Sequence, residues 1–167
     1  MNRMFEVRVQ ALDQELTDLS RSPVMDVLDC GRVGDEWRVV LGFRTQTFVK
    51  LPSGEVTLVG PVVIGVRYHA RFLSEVPHPF EVATVLEPPQ GVWHPNINPI
   101  TGAICLGHVQ VGVTLESIAH QLWAGINLNW KVLGLQPGNV VNRDAAAWLL
   151  ANAKRAPISI KGLFEKP

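Results

Sequence analysis

The sequence predicts a single α+β domain, on three observations. Apolar residues near the start of the chain recur at helical spacing, the middle of the chain alternates at the two-residue period of strands, and past residue 113 the helical period returns twice. The predicted order is an N-terminal helix, an antiparallel β-meander of about four strands, an ordered loop, a central helix and a C-terminal helix. No internal repeat or linker divides the chain, so residues 1–167 are read as one domain.

Each element has a local reason. Phe5, Val9, Leu12, Leu16 and Leu19 share one helical face, while Glu6, Arg8, Asp13, Glu15 and Asp18 fill the other. The helix should end near Ser20, because Pro23 disfavours continuation. From Val24 the period becomes two. VMDVLDC alternates, GRVGDE reads as a turn, and WRVVLGFRTQTFV is rich in β-branched and aromatic residues. Pro52, Ser53 and Gly54 supply a second turn, and VTLVGPVVIGV resumes strand composition. In VRYHARF, Val66, Tyr68, Ala70 and Phe72 face one way and Arg67, His69 and Arg71 the other, so the meander should run to Phe72. Cys30 falls in a strand and is expected to be a buried thiol. Pro77 and Pro79 break the chain after the meander, and EVATVLEPPQG gives a short edge strand ended by two prolines.

Thr114 is a good helix cap, with Glu116 in the first turn against the positive end of the dipole. Leu115, Ile118, Leu122 and Ile126 form the buried stripe of this helix, with Trp123 alongside, and it should pack on the sheet as the central helix. After the loop KVLGLQPGNVV, Asn142 caps a last helix that carries Asp144 at its start and Lys154 and Arg155 near its end. Pro157 should stop it.

Composition excludes several classes. Hydrophobic residues make up 47% of the chain and charged ones 18%, enough apolar content for a core and too much for disorder. Formal net charge is zero and no basic stripe is visible, so nucleic acid is not an expected partner. Two cysteines are too few for a secreted disulfide scaffold. The start of the chain shows no signal-peptide run, and no stretch approaches the roughly 18 apolar residues of a membrane span. The expectation is a cytoplasmic protein with free thiols and no membrane partner.

The informative stretch is VWHPNINPITGAICLGH, from Val92 to His108. Proline and asparagine punctuate it, so Trp93 to Gly102 should be ordered without regular helix or strand, turning at Thr101 and Gly102. A thiol just downstream, at Cys105, then sits at a surface edge, where a rigid scaffold commonly places chemistry.

HPNIN, then TG, then ICL closely resembles the active-site signature of ubiquitin-conjugating enzymes: His-Pro-Asn, a short turn with glycine, then Ile-Cys-Leu. The element order matches that family's fold over nearly the whole chain, although only the central stretch is motif-grade. VPHPF, Val76 to Phe80, is similar to the family's Tyr-Pro-Phe segment with His78 in place of tyrosine. The chain departs from the pattern where the loop is one residue longer, through Pro99 and Ile100, and where Gly107 and then His108 stand after the cysteine in place of an aspartate. The Trp-Ser-Pro turn before the central helix is replaced by Val111, Gly112 and Val113. In these features it looks more like the divergent bacterial members encoded in operons.

The resemblance implies a ubiquitin-conjugating-enzyme-like fold and a cysteine acyltransferase. Cys105 would accept a ubiquitin-like modifier as a thioester from an activating enzyme and pass it to an amine, usually a lysine, of a target protein. No cofactor or metal is called for. A cysteine thiol is mostly protonated at neutral pH yet intrinsically nucleophilic. Asn96 is implied to stabilise the oxyanion or to hold the loop that does so, with His94, Pro95 and His108 supporting the loop. Arg3 and Arg8 on the first helix, and Pro79 and Phe80, are implied partner-binding positions. The residue that orients the acceptor amine is not obvious; Asn139, Asn142 and His108 are candidates. In its operon context such an enzyme also works alongside a deconjugating peptidase. Two other classes stand beside this one. A catalytically inactive variant would only scaffold a modifier. A metal or thiol-hydrolase site would use the Cys105-x-x-His108 spacing with His94 and His120.

Overall fold

The computed structural model describes residues 3–89, 91–128, 140–156 and 163–164. Helix α1, Arg3–Leu19, is followed by strands β1 (Met25–Val33), β2 (Glu36–Phe43), β3 (Thr47–Lys50), β4 (Val56–Val59), β5 (Val62–His69) and β6 (Ala83–Glu87). Helices α2, Leu115–Ile126, and α3, Arg143–Ala151, come last. The class is α+β, as the sequence predicts. The expected stop at Pro157, the candidate Asn139 and most of the loop between α2 and α3 lie outside the described residues.

The strands form a four-stranded antiparallel sheet in the order β1-β2-β5-β6, with β3 and β4 paired separately as a hairpin. Two expected strands are therefore divided. WRVVLGFRTQTFV breaks at Arg44, whose amide donates to Val24 O and whose guanidinium is tied to Asp26 and Pro23 O. VTLVGPVVIGV breaks at Gly60 and Pro61. A side chain at Gly60 would meet Thr45 O at 2.3 Å, so the two breaks press against one another and only glycine fits. The hairpin thereby peels off the main sheet. Two further expectations change in detail. β5 ends at His69, with Ala70 to Leu73 forming a short 3-10 turn that still buries Ala70 and Phe72. β1 continues through Gly31 to Val33, leaving Gly34 and Asp35 as a two-residue turn.

Cys30 is exposed, contrary to expectation. β1 is the edge strand, its register shifts between Val27 and Asp29, and beyond that shift its residues stand clear of the core.

The core lies between one sheet face and α1 and α2. Phe5, Leu12, Leu16 and Leu19 meet Val39, Leu41, Ile64 and Val66, and the stripe Leu115, Ile118, Leu122, Ile126 completes the cluster. Trp123 stacks on Phe43 with ring centroids 6.2 Å apart. Each such side chain contributes roughly 1.5–3 kcal/mol by leaving water. Thr114 Oγ1 caps α2 by accepting from the Ser117 amide at 3.0 Å, and Glu15 reaches from α1 to accept from the Leu115 amide at 2.8 Å. A smaller cluster, Phe48, Val56, Leu128 and Leu149 with Trp93 and Trp148 against it, joins the hairpin to α3. Among the described residues no helix is long and apolar enough to cross a membrane.

Candidate active site

The stretch from Val92 to Leu106 is held at every stage, and what holds it explains its shape. Its start is laced to β3: Lys50 N donates to Gly91 O and Trp93 N to Phe48 O, each at 2.7 Å. Pro95 O accepts from both Val141 N and Asn142 N at 2.9 Å, which ties the loop to the start of α3. Asn98 closes the far turn. Its Oδ1 accepts from Ile100 N and Thr101 N, and its backbone exchanges bonds with Gly102 and Ala103. Gly102 turns at φ +71° and then runs along the outer edge of β6, where Val85 N donates to Gly102 O and Ile104 N to Ala83 O. As predicted, the loop contains no regular helix or strand, only isolated bridges such as Ile97 to Ile104.

His94 is the buried post of this loop. Nδ1 accepts from the Asn96 amide at 3.1 Å, so the proton sits on Nε2, which donates to Gly125 O of α2 at 3.0 Å. Burial without a charged partner pushes its pKa down to about 4, so the ring is neutral and fixed in one tautomer.

Cys105 is half-buried, at the edge the sequence suggests. Its amide donates to Asn96 O at 2.8 Å, so the two residues are clasped across the loop. While the Asn96 backbone is engaged on both sides, its side chain makes no hydrogen bond among the described residues, and Oδ1 is buried without a partner. Loop architecture therefore belongs to His94, Pro95 and Asn98, and the Asn96 amide is left available. Both residues open on a cleft of about 470 Å³, walled by Phe80, Ile104 and Leu106 on the sheet side and by Gln121, Leu122 and Gly125 of α2.

The other expected site residues are distributed differently. Phe80, expected on a separate partner surface, walls the cleft, and Pro79 O accepts from Leu106 N at 3.3 Å. Arg8 is drawn inward: it pairs with Glu15, donates to the Tyr68 hydroxyl at 3.1 Å and lies over that ring, and its side chain is 12% exposed. It therefore braces α1 against the sheet. Arg3 remains exposed. His108 is exposed and lines a neighbouring groove, not the Cys105 cleft. Asn142 is buried, with Oδ1 accepting from Ala145 N as the cap of α3.

Among the described residues no three His, Cys, Asp or Glu side chains gather as a metal site. Both His94 ring nitrogens are engaged, and His120 lies near Glu116 (3.8 Å) and against Phe164, outside the cleft lining. The residue that sequence reading missed is Gln121. It lines the same cleft as Cys105, and its Oε1 is buried without a hydrogen-bond partner among the described residues. A signal exists in the spacing: Ser117, Gln121 and Gly125 lie four residues apart, a strip running beside the apolar stripe.

No protein-family model matches this chain, and no curated protein matches it.

Proposed function

We propose that the chain is a conjugating enzyme with the ubiquitin-conjugating-enzyme-like fold, which carries a ubiquitin-like modifier on Cys105 and transfers it to an amine. One observation carries the reading: half-buried Cys105 and Asn96, whose side chain makes no hydrogen bond among the described residues, are clasped through their backbones at one open cleft, on a loop braced by a neutral, buried histidine.

In the first step Cys105 Sγ attacks the carbonyl carbon of a thioester that an activating enzyme presents. A new C–S bond forms, the old one breaks, and the departing thiolate takes the proton that Cys105 lost. One thioester replaces another, so the exchange is close to balanced. In the second step the nitrogen of an acceptor amine attacks the same carbon. The C–N bond forms, the carbonyl oxygen carries negative charge in the tetrahedral intermediate, and the Asn96 amide N–H group donates to it. The C–S bond then breaks and Cys105 leaves as a thiolate, which takes up the proton released by nitrogen. A preorganised donor of this kind is typically worth roughly 10²- to 10³-fold in rate. A cysteine retained in an open cleft favours this reading over an inactive scaffold.

The test uses a glycine-terminated peptide activated as its mercaptoethanesulfonate thioester, with intact-mass detection. Cys105 should take up the acyl group as a thiol-labile adduct faster than exposed Cys30, which serves as an internal control. Free lysine should then receive the peptide as an amide. In Cys105→Ser the thiol-labile adduct at this position disappears. Acylation of Cys105 no faster than that of Cys30 would refute the proposal.

A further inference from the structure

The Cys105 cleft contains no carboxylate and no cation among the described residues that line it; its ionisable members are Cys105 and the neutral His94. An attacking amine therefore meets no charged base among those described residues. It does meet Gln121. The Oε1 atom of that side chain is buried and has no donor among the described residues, an unfavourable state for a carbonyl oxygen in a folded protein. Gln121 also borders a second depression of about 410 Å³, which includes His108, Gln110, Thr114 and Ser117. It is the side chain that the two depressions share. An acyl chain bound to Cys105 and an acceptor chain bringing its amine must approach the sulfur from different directions, and two depressions meeting at one amide supply two approaches.

Resting on the conjugating reading above, we propose that Gln121 binds the acceptor amine. The acceptor segment lies in the second groove, and the Gln121 side chain turns so that Oε1 accepts a hydrogen bond from the nitrogen. A neutral amine has N–H bonds and one lone pair. Holding an N–H on Oε1 turns the lone pair toward the acyl carbon. As the C–N bond forms, nitrogen becomes positive while oxygen becomes negative. The Gln121 carbonyl dipole stabilises the first charge and the Asn96 N–H group the second. A neutral amide thus takes the place of an acidic side chain, and the amine arrives already deprotonated. Atoms balance as in the aminolysis above; Gln121 exchanges no proton.

The experiment isolates the peptidyl–Cys105 thioester and follows its decay against rising free lysine, for the wild type, Gln121→Leu and Gln121→Glu. Hydrolysis without amine is measured in parallel. Gln121→Leu should lose roughly tenfold of its lysine-dependent rate, through a higher half-saturating lysine concentration and a lower limiting rate, and should lose much less of its charging and hydrolysis. Gln121→Glu, which keeps an acceptor oxygen, should recover most of that loss. Unchanged lysine dependence in Gln121→Leu overturns the assignment and leaves the amine to Asn96 Oδ1, the other unpartnered acceptor among the described residues lining the cleft. Parallel loss of charging, hydrolysis and aminolysis overturns it too, by showing a structural role. Absence of any Cys105 adduct in the wild type instead overturns the conjugating reading from which this one follows.

Discussion

Replacing His94 by leucine tests the post on which the whole loop stands. The ring sits in a wholly buried position between the Asn96 amide and Gly125 O, and its pKa is pushed from 6.5 to about 4 by desolvation. The unfolded chain takes up a proton near pH 6.5 and the folded chain only near 4, so acid favours unfolding throughout that window. A difference of about 2.5 units is worth about 3 kcal/mol once both forms are protonated, and about 2 kcal/mol of this is lost between pH 7 and pH 5. His94→Leu removes the titration but strands one buried N–H and one buried carbonyl, which costs roughly 2–4 kcal/mol at pH 7. The variant should therefore be much weaker than the wild type at pH 7 and much closer to it at pH 5. Urea unfolding of both proteins at pH 7, 6 and 5 measures the gap, and contributions from groups common to both cancel in the difference. A gap that stays constant to within about 0.5 kcal/mol would show that His94 is not a buried neutral ring, and the account of the loop would fall with it.

Three further outcomes follow from the same contacts. Asn96→Ala should still form the Cys105 adduct, because the Asn96 backbone carries the loop bonds, but should discharge onto lysine roughly 10²- to 10³-fold more slowly; normal discharge in a single-turnover assay removes the side chain from the mechanism. Glu15→Ala frees the Leu115 amide and leaves Arg8 half-buried without its carboxylate, so it should lower unfolding free energy by roughly 2–4 kcal/mol in a urea titration, most of it insensitive to salt. Gly102→Ala places a Cβ 3.0 Å from Val85 O at φ +71°, and a thermal melt should fall by roughly 3–6 °C, for a cost of about 1–2 kcal/mol.

Much of the fold was legible because it depends on local terms. The caps at Thr114 and Asn142, the stripe from Leu115 to Ile126 and the alternation through Tyr68 each follow from a few neighbouring side chains. The misses share one cause. Whether a strand continues past Arg44, whether Cys30 is covered, and whether Arg8 faces solvent are decided by elements far away in sequence. Those elements are the Asp26 carboxylate, the far edge of the sheet and the Tyr68 hydroxyl. Periodicity reports which face a residue occupies, not what lies opposite it.

The candidate site divides in the same way. The sequence alone determined the ordered Pro/Asn loop, the turn at Gly102 and the thiol at its edge, since backbone preference and punctuation are properties of adjacent residues. Only the tertiary structure decided that His94 bonds to α2, that the Asn96 side chain finds no hydrogen bond among the described residues, and that Phe80, from the turn before β6, and Gln121, from α2, line one cleft. These depend on the packing of segments separated by tens of residues, which no local preference encodes.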